Sequence, residues 1–173
     1  METEPWVIVG SAAPLGTAAA KSLAAGQSLT IFEKAGATSF DLELNLTLTD
    51  APLAVSVALL GAAAPGDAGC AANPYCVALN VTRGSTAAPL VTVVGSGGKM
   101  RTSFALPHGA STLALRALVD RSVLEVFVGG GRAAITSGVG APPATARGAY
   151  VTAHSAASVA GAGAWAMGCG WAQ

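Results

Sequence analysis

Leu113-Ala114-Leu115-Arg116-Ala117-Leu118-Val119-Asp120-Arg121-Ser122-Val123-Leu124-Glu125-Val126-Phe127-Val128 is the stretch that decides the fold of this 173-residue chain. Apolar side chains recur at every second position up to Val119, and again from Leu124 onward. A period of two lines one face of a pleated strand, whereas a helix needs a period of about 3.6. Asp120 and Arg121 interrupt the pattern where a tight turn is needed. With those two as the central turn residues, Val119 faces Ser122, Ala117 faces Leu124, Leu115 faces Val126 and Leu113 faces Val128. That register gathers the apolar residues on one surface. On the other face Leu118 meets Val123, Ala114 meets Phe127 and Arg116 meets Glu125. The last pair joins opposite charges, worth about 0.2–1 kcal/mol. Asp120 is then expected to bond turn backbone, and Glu125 to serve Arg116.

Val123 and Phe127 flank Glu125, so the second face is not wholly wetted, and a strand apolar on both faces is usually covered on both sides. Gly129-Gly130-Gly131 supplies the next turn, and Arg132–Ser137 returns as a strand. Outward from this unit the same alternation continues. Ser39–Thr49 places Phe40 and four leucines at even positions and polar residues at odd ones. Shorter runs are Leu53–Leu60, Tyr75–Thr82, Leu90–Val94, Ala149–His154 and Ala164–Met167, with Gly, Pro, Asn and Asp between them. Many short strands between turn signals predict an all-β, antiparallel sandwich or barrel. Only Thr17–Ala25 reads as a brief helix.

Composition narrows the function classes. Nine basic residues balance nine acidic ones, and only 10% of residues are charged. A neutral chain has no field with which to gather nucleic acid or anionic lipid. Such low charge suits a module that rests against a larger body. Ala51–Gly66 is uncharged, but it falls short of the roughly 20 apolar residues of a membrane span, and prolines interrupt it. The tail after Arg147 is too rich in Ala, Gly, Ser and Thr to insert, so no membrane partner is expected. Met1-Glu2-Thr3-Glu4-Pro5 opens acidic, unlike a secretory signal, which suggests a cytosolic protein or a piece of a longer one. Cys70, Cys76 and Cys169 allow one disulfide. Cys70 and Cys76 are near enough to bridge a loop in an oxidising compartment, but buried or loop thiols are the expected state. No CxxC pair or Cys/His cluster points to zinc, and no metal or cofactor is expected.

The segment from Leu115 to Phe127, followed by Gly130-Gly131-Arg132 and Ile135-Thr136-Ser137, resembles the C-terminal sandwich of glycoside hydrolase family 32. That family comprises the invertases, inulinases, levanases and fructan exohydrolases. The resemblance rests on Asp120, Ser122, Glu125, Phe127, Gly131, Arg132, Thr136 and Ser137, with Trp165 in a closing strand and Phe40–Leu48 as an opening one. It spans 28–172, leaving 1–27 as a linker or remnant with a short strand and helix. It implies a two-sheet sandwich of concanavalin A-like or jelly-roll-like form, and a non-catalytic module beside a five-bladed propeller acting on sucrose or fructans. It also implies a secreted or vacuolar location for a full-length enzyme. This chain departs from the pattern after Ser137, where Gly138-Val139-Gly140 replaces an Arg, an aromatic and a Pro.

The family's catalytic carboxylates lie in Asn-Asp-Pro, Glu-Cys and Arg-Asp-Pro motifs, and none of these occurs here. No catalytic residue is therefore assigned. A retaining glycosidase needs carboxyls about 5–5.5 Å apart, and Asp120 at a turn with Glu125 along a strand are read as structural. Direct contact with fructan or sucrose, or a free-standing lectin-like role, is the alternative. Of the aromatics Trp6, Trp165, Trp171, Phe32, Phe40, Phe104, Phe127, Tyr75 and Tyr150, most sit at core positions. Asn45-Leu46-Thr47 and Asn80-Val81-Thr82 are glycosylation sequons, Asn45 on the polar side of its strand. A remoter alternative is an FAD- or NAD-binding oxidoreductase fragment. Val7–Gly16, the short helix and Leu29–Lys34 with Glu33 imitate a βαβ unit, although Ala12 and Leu15 stand where glycines belong.

Overall fold

Alternation in the sequence becomes alternation in burial. In the computed structural model, which describes residues 14–61, 70, 73–83, 88–95, 98–142 and 148–167, the strand Ser39–Thr47 buries Phe40, Leu42, Leu44 and Leu46 and turns Glu43 and Asn45 to solvent. Among the described residues thirteen strands follow one another: β1 (Pro14–Ala18), β2 (Lys21–Leu23), β3 (Ser28–Glu33), β4 (Ser39–Thr47), β5 (Leu53–Gly61), β6 (Cys76–Thr82), β7 (Leu90–Gly95), β8 (Met100–Ala105), β9 (Thr112–Asp120), β10 (Val123–Val128), β11 (Ala133–Gly138), β12 (Gly148–Ala153) and β13 (Ala157–Ala166). Among the described residues there is no α-helix, and no helix long and apolar enough to cross a membrane.

Two antiparallel sheets stack. The seven-stranded sheet runs β1-β13-β4-β9-β10-β11, with β2 also on β13; the six-stranded sheet runs β3-β12-β5-β6-β7-β8. Their inner faces meet in a core of Leu42, Leu44, Leu113, Leu115, Val119, Leu124 and Val126 against Val55, Val57, Leu59, Val77, Leu79, Val91 and Val93, all at most 2% exposed. Each such side chain contributes about 1.5–3 kcal/mol on burial. Phe32 and Phe40 meet edge to face, ring centres 5.0 Å apart. The all-β sandwich expected from the alternation is the fold observed.

Three local expectations need correction. Thr17–Ala25 is not helical: β1 and β2 occupy the region and pair with β13. Alanine-rich sequence favours a helix locally, but a sheet edge with free ladder groups outweighs that weak preference. The βαβ unit thereby loses its helix, and Leu15 and Gly16 sit in an antiparallel strand. Most of its glycine-rich part, Val7 to Ala12, lies outside the described residues, as do Trp6, Trp171 and Cys169.

The hairpin turn is the second correction. Asp120 pairs with Val123, so the central turn residues are Arg121 and Ser122. Arg121 has φ of 52°, and Ser122 is not among the positive-φ residues, the pattern of a II′-type turn that suits the twist of paired strands. The register moves by two residues, leaving each residue on the face predicted for it. Leu124 faces Val119 and Val126 faces Ala117 in the core, while Phe127, not Glu125, lies opposite Arg116. The third concerns β8, which reading for alternation passes over. It is an edge strand whose inward Met100, Thr102 and Phe104 are only half-buried, so it carries little apolar contrast.

The outer faces of the sheets differ. On the six-stranded sheet Ser56, Ala58, Tyr150 and Thr152 are already buried. Cys70 and Cys76 form a disulfide that packs on Ala58, which corrects the expectation of buried or loop thiols for this pair. The seven-stranded sheet presents its outer side openly.

Candidate functional site: the outer face of the seven-stranded sheet

Registers of β13, β4, β9, β10 and β11 arrange the outward residues in rows across the sheet. One row is Trp165, Asp41, Leu118, Glu125 and Thr136. The next is Gly163, Glu43, Arg116, Phe127 and Ala134. A third holds Gly161, Asn45 and Ala114. Rows form because antiparallel registers put partners opposite one another, with diagonal neighbours about 7–8 Å away.

Arg116 is held by Asp41, not Glu125. Its Nε donates to Asp41 Oδ1 at 3.0 Å and its Nη2 to Oδ2 at 2.6 Å. This two-pronged bond, then Asp41's charge and the nearby Glu43, hold the guanidinium pKa above its ordinary value. Glu125 lies opposite Leu118 and Thr136, and accepts a long bond from the Thr136 hydroxyl at 3.5 Å. Asp120 does not bond turn backbone; its Oδ1 accepts from Ser39 Oγ at 3.0 Å, across the β4–β9 ladder. Asp120 and Glu125 share the face on a diagonal, about 7–8 Å apart along the backbone, and their carboxylates accept from different strands, Ser39 for Asp120 and Thr136 for Glu125. Each is tied to a neighbouring strand.

The remaining signature residues divide between the core and the surface. Ser122 is an exposed turn residue whose carbonyl accepts from Val139 N at 2.8 Å. Ser137 faces inward, buried. Gly131 and Arg132 are exposed in the loop between β10 and β11. Trp165 lies outward, its indole over Gly163: a Cβ on that glycine would stand 2.7 Å from the ring. Asn45 is exposed on this face, and Asn80 on the outer face of the six-stranded sheet.

Between these groups runs an open groove of about 470 Å³, lined by Glu43, Asn45, Ala114, Arg116, Phe127 and the glycine loop. Asp41, Glu43 and Asn45 were legible only as the polar side of β4. That Asp41 and Glu43 lie against Arg116 depends on β4 and β9 being neighbours, which no local pattern encodes.

The whole-chain comparisons agree with this architecture. Residues 77–166 match the family model described as glycosyl hydrolases family 32 C terminal. Fructan 1-exohydrolase IIa from Cichorium intybus superimposes with a TM-score of 0.61 at 16% identity, covering 87% of this chain and 35% of the enzyme. Exo-inulinase from Aspergillus awamori gives 0.59 at 17%, with 91% and 30% covered. A β-fructofuranosidase from Aspergillus kawachii gives 0.57 at 17%, with 91% and 28% covered. The chain thus spans about a third of the length of the solved enzymes it matches. No curated protein sequence matches it.

Proposed function

The chain belongs to the C-terminal domain family of glycosyl hydrolase family 32, and from that premise we propose that it is a non-catalytic sandwich that docks on and stabilises a fructosidase propeller. The observation that carries this reading is an apolar patch at the turn end of the seven-stranded sheet. There Val123 is 41% exposed, with Leu118 half-buried on the adjoining strand. Apolar residues left outward on a strand already buried on its other face favour a second body over that face. The length ratio to the solved enzymes supports a partner about twice the size of this chain. In the full enzyme the substrate would be sucrose or a fructan, cleaved on the propeller.

Two measurements test the reading. The purified chain alone should release no fructose from sucrose, inulin or levan, and turnover that survives purification rejects it. Mixed with the separately produced propeller of a family exo-inulinase, the chain should co-elute as a one-to-one complex. Val123→Asp together with Leu118→Asp should abolish that complex; a complex indifferent to both changes moves the docking face elsewhere.

A further inference from the structure

We propose that the groove between Glu43, Asn45, Arg116 and Phe127 is a binding site for a neutral oligosaccharide, separate from the apolar patch assigned to docking. The groove exists because the row beside Arg116 is made of small residues. Ala114 and Gly161 flank Asn45, and the adjoining loop is glycine. Larger side chains in the neighbouring row then stand as walls around a low floor.

The chemistry of the walls selects the ligand. Phe127 offers an aromatic surface on which C–H groups can stack. Glu43 is an acceptor, Asn45 both donor and acceptor, and Arg116 keeps N–H donors that Asp41 does not use. Because Asp41 already neutralises Arg116 and Glu43 stands directly across from it on the same strand as Asp41, the groove carries no surplus positive charge for a phosphate or carboxylate. An apolar ligand would strip water from a guanidinium and a carboxylate without replacing it. A saccharide has both the hydroxyls and the C–H faces that these walls match. Gly130 and Gly131, with φ of 68° and 85° and nothing within 4 Å of where a Cβ would stand, leave one rim as bare backbone. The groove lies within the size range of small-ligand sites, roughly 300–1,000 Å³, and is open along its length, which suits several linked sugar units.

Asn45 must be unmodified for this role, so the chain is produced in a host that does not glycosylate. Calorimetric titration with inulin- and levan-derived oligofructosides forms one arm, and mannose oligosaccharides the other. Saturable binding in either arm is expected, and the arm that responds names the sugar. Phe127→Ala should weaken it by about tenfold or more, the scale of one stacking contact near 1.4 kcal/mol. Asn45→Ala and Glu43→Gln, both at exposed positions, provide variants that leave the core untouched. Amide shifts on titration should cluster at 43–45, 114–116 and 127–131. No heat in either arm at millimolar sugar, binding unchanged by all three substitutions, or shifts gathered elsewhere would overturn the site. The docking reading rests on Leu118 and Val123 and stands or falls by its own experiment.

Discussion

The Tyr75 hydroxyl donates to the Gly140 carbonyl at 2.6 Å, with the Arg121 carbonyl 3.1 Å away. Tyr75 precedes β6 of one sheet, while Arg121 and Gly140 flank strands of the other, so a single phenol ties the two layers together at the turn end. Only 2% of the residue is exposed.

Burial raises the Tyr75 pKa above its ordinary value, because the phenolate would lose its water. For an acid whose folded pKa is raised, the stabilising contribution is complete below the unfolded pKa of about 10 and is lost as pH climbs past it. Denaturant titrations should therefore show stability falling above about pH 10, less steeply in Tyr75→Phe. At neutral pH that variant should be less stable by about 0.5–1.5 kcal/mol, since the released carbonyls belong to exposed residues and can find water. An unchanged midpoint at both pH values would contradict the tie.

Arg116 provides a test of register. A double-mutant cycle between Arg116→Gln and Asp41→Asn should give a coupling of about 0.3–1 kcal/mol that fades with salt, because the guanidinium side chain is 53% exposed. The equivalent cycle with Glu125→Gln should give a coupling near zero. The reverse result would restore the register with Arg116 opposite Glu125.

Gly129 and Gly130 share a positive φ but differ in their surroundings. A Cβ on Gly129 would stand 2.8 Å from the Phe104 ring, whereas at Gly130 it meets nothing within 4 Å. Gly130→Ala should cost about 1 kcal/mol, the left-handed penalty alone. Gly129→Ala should cost roughly 2–3 kcal/mol, as β8 must also give way. Urea midpoints compare the two directly.

Arg121 is the converse case, a side chain held at φ of 52°. Arg121→Gly should leave stability unchanged or raise it by up to about 1 kcal/mol, the relief of backbone strain being partly offset by the looser unfolded chain. Its backbone bonds to Thr38 and Tyr75 need no side chain. A clear fall in melting temperature would show that the guanidinium itself matters.

Reducing the Cys70–Cys76 disulfide frees a loop with a sequence separation of 6. Short loops gain the least from closure, so the expected loss is about 2 kcal/mol. In a domain of this size that is roughly 4–8 °C in melting temperature. Thermal scans with and without reductant measure it.

Alternation alone was enough to read residues 39–49, 53–60, 112–119 and 122–128 as strands, within two residues of the observed ends, and to sort core from surface within them. Leu42, Leu44, Leu115 and Val126 could only face inward, because a period of two and the hydrophobic effect together leave one arrangement for a half-buried strand. Partnership between strands is a different kind of information. Arg116 had carboxylates available at Glu125 and at Asp41, one nearby along the chain and one 75 residues earlier. Packing of β4 beside β9 settled the choice. A two-residue shift kept each residue on the same face of the sheet, so burial could not distinguish the two hairpin registers. The groove arises the same way: its small floor and polar walls come from separate strands, and only long-range pairing, which satisfies backbone groups across the whole sheet, sets them side by side.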